Sequence, residues 1–226
     1  MFPDVKPMEL SRRAEAFDHR DWVFELKHDG FRAIAYIAKG ECRLVSRKGT
    51  VYESFAPLRE AIANELRAKD AILDGEIVCL DSDGRSIFKE LLYRRAEPFF
   101  YAFDLIWFNG KDLRQLPLLE RKRMLRRLIS QRRHGRVKFA RGIKARGRGL
   151  FREICRLDLE GIVAKHRSGL YLPGTKWIKI KNPNYSQAEG RHELFEKRRR
   201  VPLGVVAEKT SSAKPRAVGV KSKRTN

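Results

Sequence analysis

With 226 residues, 42% of them hydrophobic, the chain can bury one core and little more, which excludes a large multidomain machine and predicts one domain plus a tail. The 50 Lys and Arg outnumber the 28 Asp and Glu enough to give a formal charge of +22, so a polyanionic partner is expected, nucleic acid ahead of an anionic membrane surface. No apolar run reaches the roughly 18 residues a membrane span needs, and the opening MFPDVKPMEL has no signal-peptide core, which predicts an intracellular protein. Cys42, Cys79 and Cys155 lie far apart in mostly apolar contexts, without the paired spacing of a zinc site or disulfide framework, and are expected to be buried thiols.

Apolar alternation bounded by Gly, Asp, Asn or Pro predicts the strands. The first two, Trp22–Lys27 and Phe31–Ile37, flank His28, Asp29 and Gly30, ordinary turn residues, and are expected to form a β-hairpin. Arg43–Arg47 follows. A helix from about Pro57 to Ala68 has its proline suited to a first turn and a mixed stripe of Leu58, Ile62, Glu65 and Leu66. After the strand Ile72–Leu80, a turn at Asp81–Gly84 leads into a helix over Ser86–Arg95, with Phe88, Leu91 and Leu92 on one face, and then into the aromatic strand Phe99–Phe108. Pro117 opens the clearest helix, Leu118 to about Gln131, where Leu118, Leu125, Leu128 and Ile129 make an apolar stripe among basic residues. The strand Val137–Ala140, a helix over Leu150–Leu159, and strands at Gly161–Lys165 and Trp177–Ile180 complete the set. Strands interspersed with helices, without regular βαβ alternation, predict an α+β domain of antiparallel sheets flanked by helices.

Beyond about Gln187 the pattern stops. Residues 188–226 are rich in Lys, Arg and small side chains, cannot bury enough to order themselves, and are expected to form a basic tail, either a non-specific phosphate binder or a solvated end.

The stretch Glu25–Arg32, ELKHDGFR, sets a lysine between carboxylates and follows it with a glycine and an arginine. Its Lys-x-Asp-Gly core is cheap by itself, arising by accident in roughly one chain of this length in twenty. Further along stand SRKG at Ser46–Gly49, LDGEIV at Leu73–Val78, YAFDLIWFNGKDL at Tyr101–Leu113, EGIVAK at Glu160–Lys165 and KWIKIK at Lys176–Lys181. Their order and spacing together carry the weight. The series resembles the adenylation domain of ATP-dependent DNA ligases, within the covalent nucleotidyltransferase superfamily that also holds RNA ligases and mRNA capping enzymes. The FDLIWFNGKDL phrase is similar to the ligase version of its motif, and the whole is similar to bacterial end-joining ligases. The resemblance covers about Pro7 to Pro183 and implies an ATP-grasp-like nucleotidyltransferase core.

By that resemblance Lys27 attacks the α-phosphate of ATP, expels pyrophosphate and keeps AMP through a phosphoramide bond. Only an unprotonated lysine can do this, so its pKa must fall from about 10.4 under the influence of nearby cations and a divalent metal. Lys179 and Lys181, two apart and so on one strand face, match the α-phosphate contacts that neutralise charge during transfer. Without the other motifs they would be ordinary lysines on an exposed strand. Glu76 matches the contact to the ribose hydroxyls; Asp74, on the same side of its strand, has an equally good structural reading. Phe103 matches the aromatic that stacks on the purine, and Glu25 a position that helps read the adenine amino group. The resemblance places Arg32 near the ribose and the nick 5′-phosphate, Arg47 near the phosphates and Lys165 toward the same pocket, with Asp29 orienting the loop. Glu160 matches a metal-linked glutamate, and the implied cofactors are ATP and Mg²⁺ or Mn²⁺.

The family continues past KWIKIK into an OB-fold of roughly a hundred residues. The residues that remain here do not alternate and cannot build that barrel, so a stand-alone adenylation domain over residues 1–187 is expected, natural or cut from something longer. The reading is an ATP-dependent DNA ligase of bacterial cytoplasm, a monomer acting in repair or recombination on nicked double-stranded DNA, with an accessory protein supplying the clamp. Two alternatives stay open: a catalytically impaired DNA-binding module, and an RNA ligase.

Overall fold

The computed structural model describes residues 2–129 and 135–191. The expected helix end at Gln131 and the tail from 192 onward lie outside the described residues. The chain runs through β1 (Glu9–Arg12), β2 (Asp18–Leu26), β3 (Phe31–Ala38), β4 (Glu41–Ser46), α1 (Ala56–Glu65), β5 (Asp70–Cys79), α2 (Phe88–Tyr93) and β6 (Pro98–Phe108). It continues through β7 (Lys111–Asp112), α3 (Leu118–Leu128), β8 (Val137–Phe139), β9 (Gly142–Arg146), α4 (Gly147–Arg156), β10 (Gly161–His166) and β11 (Lys176–Lys181).

Two sheets result. The first has the order β1-β11-β10-β2-β9; the second has β4-β3-β5-β6-β7, with β8 beside β6. Only the β1–β11 and β6–β8 pairs are parallel among the described strands, so the domain is the antiparallel α+β architecture expected. Tight turns at Lys39-Gly40 and Asn109-Gly110 have positive φ at both central residues, the geometry that matches strand twist in a two-residue hairpin.

The β-hairpin expected across His28, Asp29 and Gly30 does not form. β2 pairs with β10 and β9, whereas β3 pairs with β4 and β5, so the segment crosses from one sheet to the other. Both edges of each strand are already taken. Gly30 makes the crossing passable: any Cβ there would collide with the Ile77 carbonyl oxygen of β5. Three short strands escape sequence reading for a related reason. β1, β7 and β9 are short and mostly polar, and backbone pairing with a neighbour defines them, not a buried face of their own.

Three apolar clusters follow from strand alternation. Ala33, Ala35 and Ile37 of β3 with Leu73 and Ile77 of β5 face Leu58 and Ile62 of α1 and Leu125 of α3. Phe24, Ile162, Ala164 and Ile180 face Ile154 of α4 on the outside of the first sheet. Between the sheets lie Met8, Ile34, Ile72, Ile106, Tyr171 and Trp177, and beyond this inner cluster the polar residues of both sheets open into a cleft. Cys42 and Cys79 are buried as expected, with thiols pushed by burial up to about 12 and about 11. Cys155 is only half-buried, because Ile154 takes the inward position on α4.

Candidate active site

The crossing from β2 to β3 sets Lys27 at the mouth of a narrow cleft between the two sheets. Glu25, Lys27, His28, Arg32, Glu76, Phe103, Lys165 and Trp177 line it, so five separate stretches of the sequence meet there. A larger groove by Phe2, Arg43 and Arg59, on the outer edge at β4, contains none of the sequence-derived site residues.

Period-2 alternation aims these side chains. Trp177, Lys179 and Lys181 share one face of β11, while Ile178 and Ile180 pack beneath it toward α4. Val163 and Lys165 do the same on β10. The Lys27 Nζ donates to Glu160 Oε2 at 2.7 Å, and Lys181 Nζ lies 3.4 Å from the other oxygen, Oε1. The Lys179 ammonium is held below the usual lysine range by partial burial and by the positive charges of Lys181, Lys27, Arg12 and Arg47. Arg47 itself is exposed beyond β4 and does not line the cleft; it acts on the site only through this field.

Glu76 faces the same cleft. Burial pushes its carboxyl up to about 8; the Lys27 and Arg32 charges pull the other way, and repulsion from Glu160 and Asp74 adds to the rise. Glu76 forms no salt bridge among the described residues, in contrast to Asp74 two positions before it. Asp74 is fully buried and accepts from Arg32 Nε at 3.0 Å, Arg32 Nη2 at 2.6 Å and the Tyr171 hydroxyl at 2.7 Å. Arg32 also donates from Nη1 to the Met8 carbonyl at 2.7 Å and sits 5.6 Å from the Phe103 ring centre. The structural reading of Asp74 therefore applies: it locks the Arg32 guanidinium beside the aromatic wall.

That wall is Phe103 with Trp177, rings 5.7 Å apart and edge to face. The Lys165 Nζ stands 3.8 Å from the Trp177 ring centre and 2.7 Å from Glu25 Oε2. Burial lowers the Lys165 ammonium to about 8. Asp29 points away from the cleft, into a bond from the Tyr185 hydroxyl at 2.8 Å and an ion pair with Arg191, so it anchors the crossing loop to the segment after β11.

Three residues went unassigned in the sequence reading. Trp177 was available from the period of KWIKIK, since it shares a face with Lys179 and Lys181. Lys122 pairs with Glu25 Oε1 at 2.5 Å from a core position of α3. His28 stacks on Tyr101 at 4.0 Å, and burial together with the Lys27 charge lowers it to about 3, so it is a neutral imidazole at physiological pH. Only the assembled fold shows what His28 and Lys122 touch.

Among the described residues no group of three or more His, Cys, Asp or Glu is arranged to hold a metal ion. Glu160 and Glu76 are hard oxygen donors whose charges repel each other in one cleft, which suits a cation that takes one or two carboxylates and completes its shell with phosphate and water. The arrangement as a whole, an amine beside a carboxylate, further lysines on the adjacent strand and an aromatic wall, offers cations to a phosphate and a flat apolar surface to a base.

A family model described as the ATP dependent DNA ligase domain matches residues 5–181. The chain belongs to that family. It is 33% identical over 186 residues to the multifunctional non-homologous end joining protein LigD of Pseudomonas aeruginosa, an alignment that covers 79% of this chain and 22% of the relative. The ligase domain of Mycobacterium tuberculosis LigD has a TM-score of 0.68 at 29% identity, covering 78% of this chain and 59% of that one. A mycobacterial DNA ligase D solved in complex with ATP and MES gives 0.67 at 28% identity, covering 78% of this chain and 60% of that one. The chain thus spans less than a quarter of the LigD relative and about three-fifths of the solved domains.

Proposed function

We propose that residues 1–187 form the adenylation module of an ATP-dependent DNA ligase that makes a lysyl-AMP at Lys27 and seals nicks in double-stranded DNA during repair or recombination. The observation that carries the reading is convergence: motif segments from both sheets bring Lys27, Glu76, Phe103 and Lys165 to one cleft, with Glu160 and Lys181 bonded at its mouth. Scattered lysines and glutamates with purely structural roles have no reason to meet there.

The roles follow from position. Phe103 and Trp177 offer the aromatic surface for the purine, and Glu25 accepts from its amino group. Glu76, which forms no salt bridge among the described residues, accepts from the ribose hydroxyls. Arg32, locked by Asp74, faces the ribose and the nick phosphate, and Arg47 contributes positive field to the phosphates. Lys27 attacks the α-phosphorus: the N–P bond forms as the P–O bond to pyrophosphate breaks, while Lys179 and Lys181 neutralise the charge on the phosphoryl oxygens. Glu160 would hold Mg²⁺ or Mn²⁺, and the proton that Lys27 must lose before attack leaves to solvent by way of that carboxylate, 2.7 Å from its Nζ. The cation, when bound, neutralises phosphate charge.

DNA as partner is supported by a run of exposed cations, Arg141, Lys144, Arg146, Arg148, Arg152 and Arg156, along β9 and α4. No described helix is long and apolar enough to cross a membrane. A DNA substrate places the reaction inside the cell, in bacterial cytoplasm, and we assign clamping of the duplex to the basic tail or an accessory protein. Incubation of the monomer with ATP and Mg²⁺, followed by intact-protein mass spectrometry, tests the first step. One AMP increment is expected, absent in Lys27→Ala; an equally labelled variant overturns the assignment. Nicked DNA and nicked RNA compared side by side test the second.

A further inference from the structure

Lys122 has no task in the chemistry above, yet it occupies a place that a lysine rarely takes. It lies on α3 at 6% exposure, one turn from Leu118 and Leu125, where the helix turns its core-facing stripe inward. A buried ammonium has to be held by something. Here the holders come from three walls. Glu25 Oε1 of the first sheet lies 2.5 Å from its Nζ, which donates to the carbonyls of Ala140 at 2.9 Å, between β8 and β9, and of Phe103 at 3.4 Å, in the second sheet. The Phe139 ring centre lies 4.7 Å away.

Glu25 is shared. Its other oxygen faces Lys165, so two ammonium groups compete for one carboxylate. Neither Glu25 Oε1 nor Lys165 Nζ makes a hydrogen bond of good geometry within the described protein, although both are buried and both residues line the cleft. Both are held by ion pairs, at 2.5 Å from Lys122 and 2.7 Å between Lys165 and Glu25 Oε2, so a carboxylate oxygen with a second lone pair and an ammonium with further protons stand side by side. The edge of a 6-aminopurine offers the complement, an exocyclic N–H donor next to a ring-nitrogen acceptor, whereas guanine offers a carbonyl acceptor next to a ring N–H, the reverse.

We propose that Lys122 is a positioning residue for base selection: it sets the Glu25 carboxylate and ties it to the Phe103 wall so that the cleft takes a 6-aminopurine nucleotide over a guanine nucleotide. The inference rests on the nucleotide reading of the cleft. Without Lys122, nothing holds Glu25 Oε1 apart from the existing Glu25–Lys165 pair, and the carboxylate turns both oxygens to Lys165, which spends the acceptor and the protons the base requires. The electrostatics agree. Burial pushes the Glu25 carboxyl up, and Lys122 and Lys165 together, Lys122 the larger of the two, more than reverse this, so the group stays ionised as an acceptor.

Equilibrium binding in the presence of a chelator, so that no transfer occurs, measures selection directly. ATP, GTP and purine riboside triphosphate, which lacks the 6-amino group, are titrated into the full chain and into Lys122→Met, Lys122→Gln and Lys122→Arg. The unsubstituted chain is expected to favour ATP over the other two by about tenfold or more. In Lys122→Met and Lys122→Gln the ATP preference over purine riboside triphosphate collapses, while affinity for that analogue changes by less than about threefold; Lys122→Arg, which keeps the charge, retains the preference. Lys122→Gln keeps a donor for the Ala140 carbonyl and decides the matter should Lys122→Met fail to fold. A preference unchanged in the neutral variants, or all three nucleotides weakened in proportion, overturns the inference. If the unsubstituted chain binds all three alike, the inference fails while the nucleotide cleft stands; if it binds none, the reading of the cleft fails and takes the inference with it.

Discussion

Two ion clusters of this domain use the same side-chain chemistry and finish it differently. Arg121 and Asp104, both almost wholly buried, meet through two parallel bonds of 2.8 Å, and the remaining Arg121 nitrogen donates to the carbonyls of Leu116 and Gly169. Lys27, Glu160 and Lys181 meet at 2.7 and 3.4 Å, with the Lys181 side chain 45% exposed and donors left over. A saturated cluster can only hold chain segments together; here it pins α3 to β6 and to the turn at Gly169. An unsaturated one still has charge to offer an incoming phosphate. Burial alone does not distinguish structure from function in this molecule, but unspent hydrogen-bonding capacity does.

Breaking the closed cluster is expected to have the largest effect on stability. Arg121→Leu leaves Asp104 charged, buried and unpaired, which costs about 3–5 kcal/mol. Chemical denaturation measures it, and adding Asp104→Leu should recover most of the loss, since the orphaned charge then disappears. Lys27→Ala is the mirror case: its unfolding midpoint should stay within about 0.5 kcal/mol of the parent while the AMP adduct is lost. A large destabilisation by Lys27→Ala would show that the open cluster is structural after all.

This division explains how much could be read before the fold was known. The longer strands, the helices among the described residues and the motif segments were legible because each is local: alternation over a few residues, or a short signature with fixed spacing. The partners of those residues were not. Glu25 and Lys165 lie in separate motifs, and nothing along the chain says that Lys122 joins them, or that the partner of Asp74 is Arg32. One signal did exist. On α3 the inward positions Leu118, Arg121, Lys122, Leu125 and Ile129 form a core stripe with two cations in its middle, which marks buried pairing before any partner is named. The sheet crossing at His28–Gly30 was misjudged because turn residues report a change of direction, not which sheet the next strand will join.

That crossing supplies the next effect in size. Gly30→Ala pushes a methyl group into the Ile77 carbonyl and forces the crossing segment and β5 apart, three residues from Lys27, at a cost of about 1–3 kcal/mol. Because the displacement falls at the cleft, adenylation should drop in Gly30→Ala by more than its loss of stability accounts for, measured by the rate of adduct formation well below the unfolding temperature. An equal adduct rate in the folded fraction would mean that the cleft tolerates movement of its own floor.

The smallest effect expected is also the one that separates the clusters by pH. Glu76 titrates at about 8 in the folded cleft against the ordinary value of 4.5, so the folded state favours its protonated form. Its contribution to stability is complete below about 4.5 and is lost as pH rises toward and through about 8, because the unfolded chain ionises first. Glu76→Gln, a mimic of the protonated form, should melt with the parent at pH 4.5 and increasingly above it from pH 6 to pH 9, while losing nucleotide affinity throughout. Asp74→Asn should instead melt below the parent, since it removes the carboxylate that Arg32 and Tyr171 bond. Parallel melting curves for Glu76→Gln and the parent across that range would mean that Glu76 has a partner in solution, and the cleft would then hold one acceptor fewer for a ribose.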